Sequence, residues 1–185
     1  MSPSEYQRVE LRAHALLAEV PLHDVWAIDL DGGRKRSAAQ LLDVLSFERF
    51  ANANRAVRFL FALRGLLGRT FGWDRESADP PGESFAKRLS PADRDASLVA
   101  PGSAHGPFRV LFASDREAIS EIRNATAHAF LVFALVERSG GQRLYWAVYV
   151  RPVGRFTRWY MALIDPFRRL IIYPALLRQI RSALT

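Results

Sequence analysis

Cysteine is absent from all 185 residues. That excludes disulfides, thiolate metal sites and cysteine nucleophiles, and it fits an intracellular chain. Lysine is nearly absent too: of 26 basic residues only Lys35 and Lys87 are lysines, and with 19 acidic residues the net charge is +7. The arginines are scattered and no nucleic-acid recognition motif accompanies them, so the charge reads as a solvated surface and nucleic acid is not an expected partner. Every window of about 20 residues is interrupted by charge, which argues against a membrane-spanning helix. The opening MSPSEYQRVELR carries charges where a secretion signal needs an apolar core, so a cytoplasmic location is expected.

Signatures of common chemistry are also missing. The four histidines, His14, His23, His105 and His128, show no metal-ligand spacing, and neither HExxH nor GxSxG occurs. Gly32-Gly33 followed by Arg34-Lys35-Arg36 lacks the spacing and the Lys-Ser/Thr ending of a phosphate loop. No metal and no cofactor are expected.

What the chain does contain is concentrated in residues 142–181, QRLYWAVYVRPVGRFTRWYMALIDPFRRLIIYPALLRQIR. Tyr, Trp and Val crowd a strand over 144–150, bounded by Gly140-Gly141 and by Pro152 and Gly154. From Phe156 the period becomes helical, with Trp159/Tyr160, Leu163, Phe167, Leu170/Ile171 and Leu177 recurring at three- and four-residue steps among arginines. Asp165-Pro166 predicts a cap and a restart of this helix, and Pro174 predicts a kink. Such a rod is either the core helix of the domain or an interfacial helix on a lipid surface.

The remainder reads as one domain, 1–185, since a chain of this size buries roughly 70% of its unfolded surface. Residues 4–19 can make a short helix, and 23–30, HDVWAIDL, alternates as a first strand. Helices are predicted over 37–50, with Ser37 as cap, and over 54–71. Residues 74–107 are polar and rich in Pro, Gly and Ser, and predict an extended loop with at most one helical turn, either mobile or a lid. Period 2 then returns over 108–114, 118–124, 127–138 and 144–150 as an antiparallel meander. The run AHAFLVFALV is apolar on both faces, so one face should meet the last helix and the other needs a second cover, from the preceding helices or another subunit.

Strand, two helices, loop, meander and long C-terminal helix is the element order of an α+β helix-grip fold, a curved antiparallel sheet wrapped around the last helix. The stretches Glu121-Ile122-Arg123-Asn124 through His128-Ala129-Phe130, YWAVYVRPVGRFTRWYMALIDPFRRLIIYPALLR, HDVWAIDL and RFLFALRGLLGRTFGW are similar to the bacterial family catalogued as domain of unknown function 2867. That resemblance implies the START, polyketide-cyclase and SRPBCC superfamily, with a hydrophobic cavity but no catalytic residues to carry over. The expected function is therefore binding of a hydrophobic small molecule or lipid between sheet and last helix, without catalysis. Phe130, Val132, Trp146, Val148 and Tyr160 would line the cavity, and Arg123 and His128 would address a polar headgroup. Two alternatives stay open. One is a cyclase or dehydratase using Glu121 and His128 as an acid–base pair; the other is a peripheral membrane or homodimer contact through the last helix.

Overall fold

The computed structural model describes residues 3–31, 35–44, 83–124, 128–153 and 165–175, with 58, 62 and 178 as isolated helical positions. Two short helices, α1 (Pro3–Gln7) and α2 (Arg12–Leu16), precede strand β1 (Leu22–Asp31) and helix α3 (Ala38–Val44). A 3-10 turn (Phe85–Arg88) and helix α4 (Pro91–Asp95) lead into strands β2 (Ala104–His105), β3 (Phe108–Ala113), β4 (Glu117–Arg123), β5 (His128–Arg138) and β6 (Gly141–Arg151). A helical stretch over 165–175 closes the described chain, with a π-helical segment at Arg168–Ile172 just ahead of Pro174. The proline cannot donate to the carbonyl of Leu170, and the turn before it widens.

The strands form one antiparallel sheet in the order β1-β6-β5-β4-β3-β2. The meander expected from period 2 is present, and β1 adds to its far edge against β6. The β5–β6 turn needs Gly140, whose φ of 116° lies where a Cβ is disfavoured. The architecture is α+β. Of the expected C-terminal helix only 165–175 falls among the described residues, and the expected helix over 54–71 lies outside them apart from positions 58 and 62.

Both faces of the sheet are covered. On one, Ile28, Val110, Phe133, Leu135, Leu144 and Trp146 pack against Leu41 and Leu42 of α3 and against Tyr173 and Ala175. The N-terminus of α3 is held from below, because Ala38 and Ala39 donate their N–H groups to the carbonyls of Asp115 and Ser114 in the β3–β4 turn. On the other face Leu111, Ile119, Phe130, Val132, Tyr145 and Tyr149 pack against Tyr6, Ala13, Leu17, Phe85 and Leu89. The second cover is thus the N-terminal helices together with the segment around Phe85.

That last segment carries more structure than the loop with a single helical turn expected over 74–107. Its described part holds the 3-10 turn, α4 and β2, and Phe85 and Leu89 are buried. Two apolar residues four apart are enough to anchor a polar stretch when each end is capped. Ser84 accepts from the Ala86 N–H, and Ser90 and Asp93 form a reciprocal capping box around Pro91. Composition concealed this, but the Ser-Pro-x-Asp spacing is legible in the sequence.

Candidate functional site

Strand β4 presents Glu117 and Glu121 on the face toward the N-terminal helices, and both carboxylates are buried. An ionised carboxylate survives there only with donors around it. Glu117 accepts from the backbone N–H groups of Arg12 and Ala13 at 2.8 and 3.0 Å, which are unpaired donors at the start of α2. Glu121, 3% exposed, accepts from the Ser84 hydroxyl, from the Phe85 N–H at 3.2 Å and from His128 Nε2 at 2.9 Å. Burial pushes the Glu121 carboxyl up, but the bonds from His128, Ser84 and the Phe85 N–H together outweigh it and hold it below its ordinary value.

The expected grouping of Glu121, Arg123 and His128 is therefore real in space. Arg123 Nε stands 3.9 Å from the Glu121 carboxylate, and Arg123 pairs with His128 across the β4–β5 ladder. The cluster is closed over, however. His128 is 1% exposed and lies between Phe85, in edge contact at 5.3 Å, and Phe130 at 4.4 Å. The carboxylate sits in the middle, bonded by serine on one side and histidine on the other, so the serine is not aligned on the imidazole as a nucleophile would be. Chemically this arrangement clamps the 84–89 segment to the sheet.

The five residues expected to line one cavity are divided. Phe130 and Val132 face the N-terminal helices beside Glu121, whereas Trp146 and Val148 face 165–175 on the opposite side. Register decides this: Phe130 pairs with Tyr149 and Val132 with Ala147, while Trp146 pairs with Phe133 and Val148 with Leu131. Period 2 places Phe130 with Val132 and Trp146 with Val148, but it cannot say which set of one strand shares a face with which set of the next. Tyr160 lies outside the described residues. The described residues also form an open groove of about 820 Å³ elsewhere, beside α2, lined by Arg8, Leu11, Arg12, Phe112, Arg116 and Glu117 among others.

A second cluster, unforeseen from the sequence, occupies the Trp146 face. Trp26 and Trp146 are directly opposed across the β1–β6 ladder, and the Tyr173 ring sets its edge against both, at 5.2 and 5.0 Å. Neither indole N–H has an acceptor among the described residues, although both nitrogens are buried. The Tyr173 hydroxyl donates to Asp24 at 2.8 Å. His23 Nε2 lies 3.2 Å from Asp165 and 3.9 Å from Asp24, and Arg169 Nε meets the other Asp165 oxygen at 3.1 Å. Neighbouring strand residues ordinarily point to opposite faces, but the register of β1 slips between Leu22 and Asp24, and this bulge accompanies the turning of His23 to the side of Asp24. The only advance signals were His23-Asp24 at a strand start and Asp165-Pro166 at a helix start, 142 residues apart.

An antiparallel sheet covered on both faces, with one polar cluster closed over and another beside two indole N–H groups that find no acceptor among the described residues, defines an α+β protein with a candidate site on its Trp26–Trp146 face. The model of the family described as protein of unknown function (DUF2867) matches residues 16–175, and the chain belongs to that family. No curated protein and no solved structure matches the chain. Among the described residues no helix is long and apolar enough to cross a membrane.

Proposed function

We propose that this protein binds an amphipathic small molecule on the sheet face covered by residues 165–175. The observation that carries the reading is the pair of buried indole N–H groups of Trp26 and Trp146, directly paired residues of β1 and β6, which find no acceptor among the described residues. A buried donor left unpaired costs about 1–3 kcal/mol, and tryptophans inside proteins ordinarily find a partner. A ligand oxygen placed between the indoles removes that cost, while Leu131, Val148 and Ile171, partly buried beside them, supply an apolar bed. The helical 165–175 stretch on one face of the six-stranded sheet also supports the START/SRPBCC-like helix-grip arrangement expected from sequence. Phe130, Val132, Arg123 and His128 have no part in this site. Native mass spectrometry of the purified chain, with melting curves against panels of fatty acids, phospholipids and aromatic acids, tests the proposal. Retained or stabilising ligand is expected in the wild type and its loss in Trp26→Phe, Trp146→Phe. No ligand in any panel would sink the reading.

A surface contact is the second reading, favoured by Phe167 and Leu170, which are 44% and 77% exposed and three residues apart with Arg169 between them. Apolar side chains interleaved with arginine suit the surface of an anionic bilayer. Sedimentation with phosphatidylserine vesicles should carry down the wild type and leave Phe167→Ala, Leu170→Ala in solution; equal behaviour of the two would rule this out.

A further inference from the structure

The cluster of ion pairs on this face also has the donor set of a metal site. One imidazole nitrogen and two carboxylates, from His23, Asp24 and Asp165, offer ligand atoms that all lie within 4.8 Å of one another. Bound to a first-row metal at about 2.0–2.2 Å, neighbouring donors sit roughly 3.0–3.5 Å apart. The His23–Asp165 separation of 3.2 Å already satisfies this, and the His23–Asp24 separation of 3.9 Å needs a closure of about half an ångström to reach that range. All three side chains are partly exposed, which leaves an entry path.

The carboxylates are also held in place. Tyr173 donates to Asp24 Oδ2, the oxygen nearest His23, and Arg169 spans the pair, with Nε 3.1 Å from Asp165 Oδ2 and a terminal nitrogen 4.0 Å from Asp24 Oδ1, so a bound cation would share the carboxylates with this guanidinium. A second observation is independent of the charges. Trp146, 6% exposed and in ring contact with that same Tyr173, keeps an indole N–H with no acceptor among the described residues. An oxygen ligand held by a cation at the cluster and reaching that N–H would supply one.

We infer that His23, Asp24 and Asp165 bind a divalent first-row cation of the manganese or zinc class. A mixed nitrogen and oxygen donor set without thiolate suits such ions, whereas calcium and magnesium prefer oxygen alone. Three protein ligands leave positions for water or for an anionic oxygen of a ligand. Only that last element, an oxygen shared with the indole donors, rests on the small-molecule reading. The cation site stands without it.

The test is calorimetric titration of chelator-stripped full-length protein with MnCl2 and with ZnCl2. One cation per chain is expected, and His23→Ala and Asp165→Asn should each weaken binding by at least about tenfold, as loss of even a supporting group does at such sites. Melting curves of the metal-free variants report whether they fold. Should either fail to fold, imidazole NMR of the wild type decides, because zinc must shift His23 ahead of His14, His105 and His128. No binding up to about 1 mM, unchanged affinity in the variants, or a His23 resonance that stays still would overturn the inference. Loss of small-molecule binding with cation binding intact would sink the ligand reading alone.

Discussion

Glu117 and Glu121, two turns of the pleat apart on one face of β4, each close the start of a different helical element: Glu117 takes the first N–H groups of α2, and Glu121 takes Phe85 N–H and the Ser84 hydroxyl. One strand thus pins both the N-terminal helices and the 84–89 segment to the sheet. Buried carboxylates resemble catalytic groups in sequence, yet here their oxygens are already occupied by the protein itself.

The Glu121 clamp makes stability acid-sensitive in a defined direction. Its carboxyl is held below the ordinary value of 4.5, so its contribution is fully present above that pH and is lost as pH falls through the lower folded value. Urea midpoints measured from pH 7 to pH 3 should fall more steeply for the wild type than for Glu121→Gln. Glu5, Asp29 and Asp93 are also held low and are common to both proteins, so the difference isolates Glu121. Parallel curves would refute the assignment.

Phe85 should behave as a core residue despite its polar surroundings. It is fully buried, in ring contact with Phe130 at 4.6 Å. Phe85→Ala is expected to cost about 3–5 kcal/mol in chemical denaturation, whereas a residue in a mobile loop would cost almost nothing.

Loss of the Glu117 carboxylate leaves two backbone N–H groups and a cavity behind. Glu117→Ala should cost about 1–3 kcal/mol and speed hydrogen exchange at Ala13 and its neighbours in α2, more than in β6. Uniform exchange across the chain would contradict a local capping role.

At the Trp26–Trp146 pair, stability and binding should separate. Trp146→Phe gives up ring volume but also removes an unpaired donor, so the ligand-free protein should change by less than about 1.5 kcal/mol. Ligand retention should nevertheless fall. A large loss of stability, comparable with Phe85→Ala, would mean that the indole N–H matters to the fold and not to a ligand.

Much of the meander was readable because local signals agreed: alternation over 108–114, 118–124 and 127–138, glycines at the β5–β6 turn, and a bulky strand that runs through Gly141–Arg151. The Glu121–His128 approach was readable too, since two strands joined by a short connection make those residues diagonal neighbours on one face. Of the helical character of 83–95 only the Ser90-Pro91-x-Asp93 cap was legible, because two apolar residues among many polar ones carry no period. The His23–Asp24–Asp165 cluster was not, because a strand bulge and the seating of a distant helix brought it together.

What the amino-acid order determined by itself is therefore the run of long strands and, within each strand, which residues share a side; alternation is a property of the backbone and holds before anything packs. Tertiary structure alone decided which sides meet. β5 and β6 are apolar on both faces, so hydrophobicity assigned neither face to the last helix, and only pairing of Trp146 with Phe133, and of Trp26 with Trp146, put the tryptophans opposite Tyr173 and left Phe130 and Val132 beneath Phe85.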